Sequence, residues 1–293
     1  MRLKLVSMIG AVLVSAVTAG AAHAEPPIWV VKDADSTIYL FGTVHILRPE
    51  TNWRTPRIDQ ALGQATELWM EIVQPKDPAQ LQAIITPLMA QHGLSPDKPL
   101  SSRLKPDDYK RLEQAIVAMK MPGLEMQMVN LMRPWLVATL LSAGPLVAAG
   151  YDTEAGVETV LEKAATAQGD QVRSFEKIEQ QLTFLATLPD DVQLQFLLDT
   201  LNENDVADMD KLVAAWVSAD LPAIERDFMK MKAEAPQLYE VLLIRRNEDW
   251  AGQIQERLKG SGVSFMAVGA AHLIGPDSVQ TKLKARGIDS NRF

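Results

Sequence analysis

Two stretches of this chain carry the same reactive pattern. Thr37 to Phe41 runs into Gly42-Thr-Val-His45, and Val263 to Val268 runs into Gly269-Ala-Ala-His272. In both, a short apolar β-type run ends in Gly-x-x-His, with two aliphatic residues after the His. A glycine at a strand exit lets the backbone turn sharply or approach a ligand closely. An imidazole three residues on then falls past the carboxyl end of its strand, the edge where open α/β sheets form ligand sites. Two such histidines read as halves of one site. With a carboxylate and open positions they suit a divalent Mn, Co, Zn or Fe ion. Such an ion brings the pKa of bound water to about 7 and supplies hydroxide for hydrolysis. Glu67 and Glu71 are the candidate carboxylates. Four apart on the strand expected at 66–73, they share a face, and Glu71 lies at its carboxyl end, level with the histidines. The plainer reading of Glu71 is a strand-end acid facing solvent.

The remaining histidines compete weakly. His23 falls in a leader-like segment, and His92 precedes Gly93 at an expected helix end, where a His beside the last carbonyls is ordinary. With no cysteine in the sequence, a thiolate site and disulfides are excluded. No Gly-x-Ser-x-Gly elbow, Walker loop, dinucleotide fingerprint, His-Glu-x-x-His or EF-hand loop occurs.

The elements that must position these residues read as follows. Trp29–Lys32 and Thr37–Phe41 form a hairpin, 57–64 a helix and 66–73 the next strand, a strand–helix–strand order that suggests a largely parallel sheet. From 78 to 250 the helical period dominates. Expected helices cover 78–91, 106–120, 124–142, 156–167, 177–187, 192–203, 209–218, 221–231 and 235–258, with one strand at 171–176. Val263–Val268 is the last strand, and a closing helix covers 278–286. The apolar run Leu136–Ala149, interrupted by Gly144-Pro145, is too short to span a bilayer and reads as a buried helix. The methionines of 119–132 read as core filling.

Arg2 and Lys4, the apolar stretch Leu5–Val17 and Ala22-His-Ala24 together resemble a cleavable signal peptide over 1–24. The mature chain, 25–293, is then expected in the periplasm or outside the cell, with no transmembrane segment. With 37 acidic against 29 basic residues and a net charge of -8, nucleic acid and anionic membrane surfaces are poor partners.

Several segments match one known family. Trp29-Val, Ile38-Tyr-Leu-Phe-Gly-Thr-Val-His45, Gly156-Val-Glu158 with Ala164-Ala165, Phe175-Glu-Lys-Ile-Glu-Gln180, Arg246-Asn247 with Trp250, and Val268-Gly-Ala-Ala-His272-Leu-Ile-Gly275 stand in the order of its motifs. The chain resembles the TraB/GumN family, which includes the Tiki-type metalloproteases, over essentially all of its mature length. Glu158 replaces the usual Asp, and Phe175 and Lys177 flank Glu176 where Leu and Thr are common.

That resemblance implies an α/β fold, a central mixed sheet flanked by helices, related to the erythromycin-esterase and ChaN-like group. It also implies a site of His45, His272, Glu71, Arg246 and Asn247. The expected activity is metal-dependent hydrolysis of peptide-like substrates, with His45, His272 and Glu71 as ligands or Glu71 as base. Arg246 would hold a carboxylate or oxyanion, or else pair with Glu248 or Asp249. Asn247 would orient a ligand or cap a turn, and Glu176 would support the site. The alternatives are a metal- or haem-binding protein without turnover and an accessory factor in envelope polysaccharide export.

Overall fold

The computed structural model describes residues 25–202 and 205–293. The expected signal peptide lies outside the described residues. The chain is α/β as expected, built on a six-stranded mixed sheet: β1 (Ile28–Lys32), β2 (Ser36–Thr43), β3 (Glu67–Met70), β4 (Gln171–Ser174), β5 (Gly262–Gly269) and β6 (Ser290–Arg292). Their order across the sheet is β4-β3-β5-β2-β1-β6. β2, β5, β3 and β4 pair in parallel, while β1 runs against both β2 and β6.

Side-chain alternation builds two cores, one on each face. Tyr39, Phe41, Leu68, Phe265 and Ala267 point to one, closed by Trp216, Ile224, Val157 and Leu161 of the covering helices. Ile38, Leu40, Met266 and Val268 point to the other, against Trp250, Ala251, Ile254 and Leu283. A third cluster, with Leu112, Ile116, Val137, Leu141 and Leu197, lies wholly within the helical middle region.

Most expected elements form, with instructive differences. The stretch 124–142 is two helices, Met126–Val129 and Pro134–Ala148. Pro134 forces Arg133 into extended backbone and then serves as a first helical residue. The second helix runs through Gly144-Pro145 instead of ending there. Strand β3 is shorter than 66–73, and the final strand β6 carries little apolar patterning by which to find it. Of the methionines, Met132 is buried, whereas Met121 and Met128 are exposed at 45% and 51%. Among the described residues no helix is long and apolar enough to cross a membrane.

The expected helix 235–258 contains a π turn, Glu240–Ile244, followed by an α-helix, Arg245–Arg257. Such a turn inserts one extra residue and rephases everything after it. Here it leaves Arg246, Asn247, Trp250, Ala251 and Ile254 on the buried face.

The sheet should dominate stability. Leu68 on β3 is fully buried and Val147 is 57% exposed. Leu68→Ala is therefore expected to cost about 2–5 kcal/mol and Val147→Ala less than about 0.5 kcal/mol, measured by urea unfolding. Similar losses for the two would contradict this placement of the core.

Candidate active site

The parallel strands deliver their carboxyl ends to one edge of the sheet. Thr43 of β2 is level with Gly269 of β5, and Met70 of β3 with Ser174 of β4. Pairing continues past the last two, because Phe175 N–H bonds Met70 O and Glu176 N–H bonds Glu71 O. Glu71 and Glu176 are thereby laid side by side. His272 follows β5 in a short 3₁₀ turn, Ala270–Leu273, and His45 follows β2 in a loop. The sequence-derived residues do converge.

Glu71, Arg246, Asn247, Glu176 and His272 are all buried. Arg246 Nε donates to Glu176 Oε1 (2.7 Å), and Nη2 donates to Glu176 Oε2 (2.9 Å) and Glu71 Oε2 (2.6 Å). Its Nη1 donates to Leu242 O and His272 Nε2, both at 3.2 Å. The pairing with Glu248 or Asp249 weighed from sequence does not occur; Glu248 pairs with Arg286 and Lys282 instead. Glu71 Oε1 accepts from Gly269 N–H (2.7 Å), and Gln181 Nε2 reaches Oε2 at 3.3 Å. Glu176 also accepts from Trp250 Nε1 (2.9 Å).

Asn247 orients His272. The Asn247 amide nitrogen donates to Asp277 O (2.8 Å), so its Oδ1 faces His272 Nδ1 at 2.6 Å. An oxygen there requires the proton on Nδ1, which leaves the Nε2 lone pair facing Arg246. Trp250 packs against the ring, with centroids 4.3 Å apart. Burial pushes His272 down to about 3, further than Glu71 can offset, so it is neutral at any working pH. Burial alone would raise Glu71, but the Arg246 and His45 cations and the Gly269 N–H together hold it well below the usual carboxylate range. Burial does raise Glu176, aided by the Glu71 charge and opposed by Arg246.

His45 sits in the opposite environment. Its side chain is 65% exposed, and its Nδ1 lies 2.7 Å from Glu158 Oε1. Thr43 Oγ1 donates to the same Glu158 oxygen. The Glu158 charge pushes His45 up to about 10, against a smaller opposing effect of burial, so at neutral pH it is an imidazolium. Glu158, given no role in the site from sequence, touches a site histidine directly. The signal was the motif itself. A Cβ at Gly156 would lie 2.1 Å from His45 O, and Val157 N–H bonds Val44 O (3.1 Å). Glycine lets that helix start close on the His45 loop.

The motif glycines provide space rather than a left-handed turn, since neither has positive φ. A Cβ at Gly42 would press on Ala270 at 3.1 Å. A Cβ at Gly269 would lie 3.0 Å from Glu71 Oε1 and 3.3 Å from His45 Nε2. Those two polar atoms therefore face the same small volume. Glu67, by contrast, is at the far end of β3 with Arg257, Arg173 and Ser264 and does not join the site.

Fold and site together define an α/β protein with a polar centre at the carboxyl edge of a parallel sheet. The sequence matches the model of the TraB/PrgY/gumN family over residues 27–292, and the chain belongs to that family. No curated protein and no solved structure matches it.

The divalent ion implied by the resemblance can be tested against these side chains. In kind they suit it, with both Nδ1 atoms engaged by Glu158 and Asn247, as in ligating imidazoles, and with Glu71 ionised. In arrangement they do not. Among the described residues no three His, Asp or Glu side chains are grouped to hold an ion, and Arg246 Nη1 occupies the lone pair of His272 Nε2.

Followed by NMR, His45 is expected to titrate near pH 10 in the wild type and to fall back towards about 6.5 in Glu158→Gln. A folded value above the unfolded one means the pair stabilises fully below about pH 6.5, and that contribution disappears as pH rises through about 10. Solvent at the exposed face of His45 screens the pair, so the stability at stake is less than the shift alone would give. An unchanged His45 titration in Glu158→Gln refutes the assignment. Gly156→Ala should cost about 1–3 kcal/mol by overpacking, read from urea denaturation.

Proposed function

We propose that this chain is a hydrolase of peptide-like bonds working outside the cytoplasm, with the reacting water held between His45 and Glu71. One observation carries the reading: an exposed imidazole, fastened through Nδ1 by Glu158, presents Nε2 to the same volume as the buried, ionised Glu71. Two titratable groups whose environments drive their pKa values apart form an acid and base pair.

His45 is the acid. Its Nε2–H supports a carbonyl oxygen as negative charge gathers there, then protonates the leaving amine. Glu71 Oε1 spends one lone pair on Gly269 N–H and keeps the other for a water. As the water oxygen bonds the carbonyl carbon and the C–N bond breaks, the water proton passes to Glu71. Returning it to His45 Nε2 resets the pair. So strongly stabilised a carboxylate holds water well and takes protons reluctantly, so the acid side carries more of the rate. The substrate class rests on the Tiki-type resemblance, and the location on the leader pattern of residues 1–24.

Peptide-library cleavage tests this reading. The wild type should cut, His45→Ala should lose about 10²–10⁴-fold of the rate, and Glu158→Gln should fall between the two. A wild type that cuts nothing, as a metal- or haem-binding protein or an export accessory would, defeats the proposal. So does full activity in His45→Ala.

A further inference from the structure

Arg246 has five N–H groups and five acceptors: two oxygens of Glu176, one of Glu71, the Leu242 carbonyl and His272 Nε2. The guanidinium is planar and can present all five donors at once. Only 6% of its side chain is exposed, and Trp250 lies across one face, 4.7 Å from the guanidinium carbon. The acceptors are fixed independently of it. Glu176 is tied to Trp250, Glu71 to Gly269 N–H, and His272 to Asn247 and thence to Asp277. Leu242 belongs to the π turn that sets the phase of the helix carrying Arg246.

These are also the groups a divalent ion would need. It would require Glu71 and the His272 Nε2 lone pair, and His272 Nε2 and Glu71 Oε1 lie 3.6 Å apart. Taking them would strand the guanidinium, buried against Trp250, with only part of its hydrogen bonding, and an unpaired buried charge is costly. We propose that Arg246 is the built-in cation of this site, standing where a divalent ion would have to stand between Glu71 and His272, so that the chain binds no divalent metal through His272. The positive charge that holds Glu71 ionised and His272 in one tautomer is then covalently part of the chain. The inference does not depend on hydrolysis, because metal binding is read without turnover.

The full chain, freed of metal by dialysis, is titrated with CoCl2 and followed by visible absorption, where histidine-bound cobalt is coloured. MnCl2, ZnCl2 and FeSO4 are followed by thermal shift. The wild type should develop no cobalt band, and its thermal shifts should equal those of His272→Ala. Arg246→Met frees His272 Nε2 and Glu71, and should gain a cobalt band that Arg246→Met/His272→Ala loses again. A wild type that binds one equivalent of cobalt with a band abolished in His272→Ala overturns the proposal. So does an Arg246→Met protein that folds yet binds no cobalt, because the arginine is then not what excludes the ion. If Arg246→Met does not fold, the wild type against His272→Ala decides alone. A failed cleavage assay leaves this inference standing, and a cobalt-binding wild type leaves the hydrolase reading standing.

Discussion

The buried contact of Arg246 with Glu71 and Glu176 is the constraint on which the site depends. Removing three charged groups from water is expensive, and attraction alone often fails to repay it. What repays it here is completeness. Each guanidinium N–H has an acceptor, and the carboxylates draw further donors from Gln181, Trp250 and the Gly269 backbone. Such a network is tolerated when fully satisfied and damaging when partly so. It also joins four separate parts of the chain, the ends of β3 and β4, the turn after β5 and the helix Arg245–Arg257. Any of them that shifted would leave a buried charge unpartnered, so the centre has one arrangement.

The fold prepares that contact before the side chains meet. Parallel pairing places the ends of β3 and β4 level, and backbone bonds beyond the strands keep Glu71 and Glu176 in step. Two adjacent acids could not share a dry site without a cation, and the π turn delivers one. Without its extra residue, Arg246 and Asn247 would be turned about 100° around the helix. Asn247 must arrive with Arg246, since one fixes the tautomer of His272 and the other uses the lone pair so defined. The local winding of one helix and the register of two strands thus set the protonation of a histidine just past the end of a third strand.

Much of this was legible in the sequence, for definite reasons. The unbroken apolar runs Ile38–Phe41 and Phe265–Val268 announce strands buried on both faces. Gly-x-x-His at the ends of two such runs announces a shared edge, and the four-residue spacing of Glu67 and Glu71 sends one of them to it. Partners set by tertiary approach were harder to see. Glu158 looks like an ordinary acid in a first helical turn, and only the contact of Gly156 with His45 O reveals its target. The partners of Arg246 were hidden because nearer acids, Glu248 and Asp249, lie beside it in sequence. The π turn and β6 leave little trace in hydrophobic period, since one changes the phase of a helix already expected and the other is short and polar throughout.

The two histidines show how far a matched motif can mislead about chemistry. Their tetrapeptides are alike, and their strands are neighbours in register, yet His272 is held near 3 and His45 near 10. Nothing in Gly-x-x-His causes this. His272 is shut against Trp250 with an amide on one nitrogen and a guanidinium on the other, so a proton there would meet both burial and a positive charge. His45 opens to solvent with a carboxylate on Nδ1, so a proton there is welcome. Each ring must give up the proton on its binding nitrogen to hold a cation, and the lone pair of His272 Nε2 is already taken by Arg246. An acid and a fixed neutral prop need one ring that carries a proton and one that never does. The asymmetry comes from Glu158 and Arg246, residues outside both Gly-x-x-His motifs, and it suits the proposed division of labour between the rings.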